Sequence, residues 1–184
     1  KIVVLIVFLS ISLFINFKFY DEDKNSKKQI LKEETNSTKS NLLENVEYIS
    51  KDTKGNEYII NAEEGEIDLN NSNIIFLKNV KSVIKLTNSN KINITSKYGK
   101  YNKNNYNTIF SKNVKITYLE NKITSEYLDF SLERNSMIIS RDVIFTNLEN
   151  ILEADVVEMN IKTKDTKIFM YENDKKVNIK NKNY

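Results

Sequence analysis

The sequence predicts an all-β protein: an elongated antiparallel β-jelly roll or V-shaped sandwich of stacked hairpin repeats, preceded by one N-terminal transmembrane helix. Three observations carry that expectation. A phrase recurs, FLKNVK at 76–81 returning as FSKNVK at 110–115. Apolar and polar residues alternate over most of 44–179, the period of a strand with one buried face. Residues 2–17, IVVLIVFLSISLFINF, hold no charge and are apolar all round.

The N-terminal segment is slightly short of the ~20 residues of a membrane span, but Phe19 and Tyr20 extend it and Lys18 can snorkel. A cleaved secretory signal needs small residues at the cleavage site, and INFKFYDEDKN offers none. The expected organisation is an uncleaved anchor over 1–20, a polar linker over 21–43, a β-domain over 44–179 and a frayed polar tail over 180–184. Within the linker a short helix near 26–34 is an alternative to a solvated tether.

Four segments align when Ala62, Ser96, Ser125 and Ala154 are set as position zero, 34, 29 and 29 residues apart. Such a period marks stacked supersecondary units. Before position zero the inward residues fall on even offsets, as at Tyr58, Ile60 and Ile94. After it they fall on odd offsets, as at Ile67, Leu69, Tyr101, Phe130, Leu132 and Met159. A parity change inside a strand requires a bulge or bend. Gly65 and Gly99 sit there, and a positive φ is the expected reason for them. Leu128 and Val157 take the same place in the later units. Asn-rich clusters follow at 70–73 and 103–106, with polar clusters at 133–136 and 162–165, all turn chemistry. The return strands then put Ile74, Phe76 and Val80 inward, then Phe110, Val114 and Ile116, then Met137, Ile139, Val143 and Phe145. Nine or ten strands result, with open edges at 48–61 and 167–179 that can pair with another chain.

Composition excludes several chemistries. The chain has no Cys, His, Trp or Pro, which removes thiol and imidazole catalysis and zinc sites of Cys and His. The carboxylates Glu63, Glu64, Glu66, Glu153, Asp155 and Glu158 show no spacing that sets an acid/base pair apart from solvated faces. No D-x-D-x-D-G calcium loop occurs. No catalytic residue, metal or cofactor is therefore expected. Net charge is +3, and without Lys1 and Lys18 the remainder holds 26 cations against 25 anions. That near balance predicts no basic face and no nucleic-acid partner.

The G-x-x-Y-x-I-x-A run at 55–62, the I-x-I-x-S-x-x-G-x-Y run at 92–101 and the NV of the return strands resemble the LptC family of lipopolysaccharide-export proteins. The likeness extends from the apolar N-terminus to about residue 179. Where the family often carries Gly two residues before the Val, this chain has Lys78, Lys112 and Arg141. The resemblance implies a single-pass inner-membrane protein with its C-terminal domain in the periplasm. Such proteins bind the inner-membrane ABC transporter of lipopolysaccharide export, receive the lipid in a greasy β-groove and hand it to LptA. The implied groove comprises Tyr58, Ile60, Ile67, Leu69, Phe76, Ile94, Tyr101, Phe110, Val114, Phe130, Leu132, Ile139, Phe145 and Met159. The implied edge contacts are Tyr48 and Tyr58 toward the transporter and Ile168, Met170 and Val177 toward LptA. The competing readings are an anchored β-solenoid scaffold or adhesin with a filled core, and a secreted LptA-like carrier.

Overall fold

The computed structural model describes residues 30–31, 41–52, 54–87, 90–163, 165–172 and 174–182. The expected anchor over 1–20 lies outside the described residues. Among those described, no helix is long and apolar enough to cross a membrane. The elements among the described residues are all strands: β1 Ile30–Leu31, β2 Leu42–Lys51, β3 Glu57–Ile67, β4 Ile74–Lys85, β5 Ile92–Asn102, β6 Thr108–Tyr118, β7 Asn121–Ser131, β8 Ser136–Thr146, β9 Asn150–Asn160, β10 Thr166–Phe169 and β11 Asn178–Asn181. They form one antiparallel sheet in sequence order from β1 to β10. Both β10 and β11 pair with β9, on its residues Val156–Met159 and Asn150–Glu153 respectively.

Each long strand is bent near its middle, and the bend folds the sheet over its own apolar face. In β3 the buried residues run Tyr58, Ile60, Ala62 and then Gly65, which is the expected parity change. The bend glycines do not have positive φ; among the described glycines only Gly55 does, at 82°. Left-handed backbone lies instead in the alternate strands, at Asn45, Asn79, Lys112–Asn113 and Arg141–Asp142. Each of these sits directly before a buried valine: Val46, Val80, Val114 and Val143. The repeated NV is therefore a bend followed by an anchor into the core. Asn and Asp suit it because their short polar side chains tolerate the left-handed region.

The two copies of the repeated phrase differ by one residue in register. Across β4 and β5, Lys78 faces Tyr98 and Val80 faces Ser96, step for step. Across β5 and β6, Tyr98 faces Ser111 while Thr95 faces Lys115, so β6 carries one extra residue in a bulge. β8 carries another between Ser140 and Val143. Phe110 consequently points inward at 1 % exposure, whereas Phe76 points outward at 43 %. The expectation that Phe76 lines the interior is corrected, and Ile75 and Leu77 take the inward places.

Small residues recur where the layers crowd. Position zero (Ala62, Ser96, Ser125, Ala154) is buried in all four units. The Ser96 and Ser125 hydroxyls donate to the carbonyls of Tyr98 and Tyr127, at 2.8 and 3.3 Å, satisfying polar groups where the ladder is interrupted. Six residues after position zero, Asp68, Asn102, Ser131 and Asn160 each accept a backbone N–H from the following turn. Side-chain turns of this kind stand in for Pro and Gly in a chain with no Pro and three Gly. Leu69 lies in such a turn at 82 % exposure, so its expected inward place is also corrected.

The domain limits shift slightly. β2 begins at Leu42 and Leu43 packs against the core, two residues inside the stretch expected as linker. Ile30–Leu31 pairs with Ile49 and Tyr48 rather than forming helix. At the other end Lys180 and Asn181 belong to β11, and the Lys182 N–H donates to the Glu149 carbonyl at 2.7 Å, so the tail is paired as far as Lys182.

Candidate functional site

The bend is one side of the folded sheet, and the two rows of turns are the other. One row joins β2 to β3, β4 to β5, β6 to β7 and β8 to β9; the opposite row joins the remaining neighbours. Residues near the two rows meet face to face across the interior. Tyr48 stacks on Tyr101 with ring centroids 4.8 Å apart, and Tyr58 on Phe130 at 5.8 Å. Tyr58 is held in place by its hydroxyl, which donates to Asp52 Oδ2 at 3.0 Å. Asp52 also accepts the Asn56 side-chain amide and the backbone N–H groups of Lys54 and Asn56. Burial works to raise the Asp52 carboxyl, but these hydrogen bonds together hold it below its ordinary range. Burial raises the Tyr58 phenol, as do the Asp52 charge and hydrogen bond. Burial likewise raises the Tyr101 phenol, with Tyr106 and Tyr48 adding to it.

Between these rings lies a cavity with Ile60, Ile84 and Ile94 on one layer and Thr108, Phe110 and Leu132 on the other. Its free space is about 10 Å³, room for one water at most. The layers are thus in contact, and the interior is apolar and continuous. Of the residues expected to line it, Tyr58, Ile60, Ile94, Tyr101, Phe110, Val114, Phe130 and Ile139 belong to one buried cluster. Ile67, Leu132 and Met159 pack against that cluster from its margin. Phe145 is half-buried, while Leu69 and Phe76 stand outside.

Of the expected edge residues, Tyr58 is misplaced: β3 is flanked by β2 and β4 and is not an edge. The expected edge over 48–61 is in fact a hairpin. Tyr48 lies on the outermost long strand, but its side chain is buried on Tyr101, and its backbone lies between Ile60 of β3 and Leu31 of β1. Ile168 lies on β10 opposite Val157 and is exposed. Met170 and Val177 fall outside strands, both half-buried, in the connection from β10 to β11. Sequence reasoning missed Ile75, Leu77 and Tyr48 as core. The signal for the first two was the Asn79 bend, which shifts parity in the return strand as well as the outgoing one.

No group of three or more metal-binding side chains occurs among the described residues. A single open sheet closed over a side-chain-filled apolar interior makes this domain a β-roll. The chain belongs to the LptC-related family of lipopolysaccharide-assembly proteins, whose family model matches residues 3–181. Its role is in lipopolysaccharide assembly and transport at the cell envelope, and it is not an enzyme. No curated protein matches the chain.

Proposed function

We propose that this chain accepts lipopolysaccharide from the inner-membrane ABC transporter into the interior of its β-roll and passes it to LptA through its C-terminal edge. An N-terminal span over 1–20 tethers the domain on the periplasmic side. One observation carries the proposal: among the described residues every ladder joins strands side by side within the sheet, β10 and β11 both on β9, and none joins the two layers across the turns. Parting the layers at the turns therefore breaks no sheet hydrogen bond. It exposes apolar side chains, and acyl chains would cover them again at about 25 cal/mol per Å². Opening a roll filled in this way is a transition from side-chain contact to lipid contact on the same surface.

The exposed β10 and β11 support the hand-off. Their side chains contribute little to the core, and they leave backbone groups on the outer side of the sheet for strand addition. The test is a photo-crosslinking amino acid at Phe110 in the anchored chain, with adducts detected by a lipopolysaccharide blot. Adducts at Phe110 and Phe130, with none at Phe76 or Lys112, are expected. Absence of adducts at both inward positions would leave a filled-core scaffold as the better account.

A further inference from the structure

Near balance of charge over the whole chain hides a sharp segregation. Residues 69–119 hold nine lysines and no Asp or Glu. This corrects the expectation of a chain without a basic face. Seven of those lysines lie in β4, β5 and β6, and all seven are exposed on the side away from the core. Lys78 and Lys85 are matched by Glu64 and Glu57 of β3, at 2.6 and 3.0 Å. Lys81, Lys97, Lys100, Lys112 and Lys115 form no ion pair among the described residues. Register places Lys81, Thr95 and Lys115 in one row across the three strands. Lys100 lies over the exposed Phe76 ring at 5.8 Å, and Lys97 over the Tyr98 ring at 5.4 Å. An open concavity of about 460 Å³ separates Lys81 from Lys97, with Glu63 its one carboxylate. Glu63 Oε2 is occupied by the Asn79 amide at 2.7 Å.

The fold does not require this arrangement. An outward strand face needs polarity, which mixed charges supply, and like charges on adjacent strands repel. We propose that the outer face of β4–β6 lies against an anionic phospholipid surface. Compact ammonium groups suit a field of phosphates, and lysines interleaved with exposed aromatic rings suit the headgroup level of a bilayer. A nucleic acid offers phosphates too, but the family places this chain in the cell envelope. Charge segregation carries this assignment independently of lipid passage through the interior, so either can fail alone.

The chain lacks Cys, so Thr95→Cys in the full chain accepts a single fluorophore within the basic row. The labelled chain is mixed with vesicles bearing a headgroup quencher, of phosphatidylcholine alone or with phosphatidylglycerol. The apolar N-terminus brings the chain to both alike, so the difference between them reports this face. Quenching is expected only with phosphatidylglycerol, and is lost near 1 M salt, where the screening length is about 3 Å. Replacing Lys81, Lys97 and Lys115 by Gln should weaken the response about 100-fold, at about 5-fold per lysine. A probe at Ile144→Cys, outward on β8, should stay unquenched. Equal quenching in both lipids, equal quenching at Ile144, or none at Thr95 overturns the proposal. A silent vesicle arm with a response to a short DNA duplex would reassign the face to nucleic acid.

Discussion

Gly65 and Gly99 occupy equivalent places in successive units, and what they share is confinement. A Cβ on Gly65 would stand 2.9 Å from Val46 Cγ2, and one on Gly99 would stand 3.0 Å from Val80 Cγ2. At these two places the outgoing strand passes close beneath Val46 and Val80, which follow the left-handed Asn45 and Asn79, and only a residue without a side chain leaves that space. Gly65→Ala is expected to destabilise by about 1–3 kcal/mol as overpacking. Chemical denaturation of Gly65→Ala, Val46→Ala and the double variant tests it, because relief of the clash makes the double variant more stable than additivity allows. Lys112 and Arg141 show the opposite constraint, with φ of 65° and 67°, a left-handed backbone that Gly adopts without steric cost. At Asp52 the constraint is electrostatic. Its carboxyl titrates below the ordinary value in the folded chain, so its contribution is present above the unfolded value of about 3.9 and is lost as pH falls through the folded one. Tm should therefore fall more steeply with acid in the natural chain than in Asp52→Asn; parallel profiles would remove Asp52 from the acid response.

Among the elements, the contrast between β4 and β6 shows what the sequence makes legible. Alternation and the turn clusters locate the long strands, and they locate the bend in β3 and β5. They cannot distinguish FLKNVK from FSKNVK, because a single inserted residue reverses the face of everything before it. That insertion lies in backbone angles, at Lys112–Asn113 against Asn79 alone, and composition does not report it. Phe110 and Phe76 carry the consequence. Phe110→Ala should cost about 3–5 kcal/mol, as loss of a buried ring does. Phe76→Ala should cost less than about 1 kcal/mol, as at an exposed site. Equal losses in denaturation midpoints would mean the register is wrong. The interior residues of the candidate groove were legible for the same reason as the strands, and Leu69 and Phe76 failed where a turn or a bend broke the alternation. The edges were less legible still, since burial patterns do not reveal which strand lacks a neighbour. At β10, Ile168→Lys leaves the packed cluster untouched and places a charge on the outer strand. Binding to LptA, measured by co-purification, should be lost with Tm unchanged; retained binding would move the hand-off to another edge.

For the molecule as a whole, the decisive property is how the two layers are held. On either side of the bend each strand is hydrogen-bonded to its neighbours, so each layer resists deformation in its own plane. Across the interior the layers meet through aromatic and aliphatic side chains, chiefly Tyr48 on Tyr101 and Tyr58 on Phe130 near the turns. Such contacts are non-directional and reform equally well on lipid chains. In the proposed transfer the bend, with left-handed residues in four strands, is the hinge line, and the turn rows are the side that opens. A reversible restraint across that side separates transport from folding. Cysteines at Tyr48 and Tyr101, joined by a short reducible cross-linker, hold the layers together while the ladders remain intact. The restrained chain should keep its β-sheet circular dichroism and lose the lipopolysaccharide adduct at Phe110, and reduction should restore it. An adduct of undiminished yield in the cross-linked chain would show that lipid reaches Phe110 without the layers parting there.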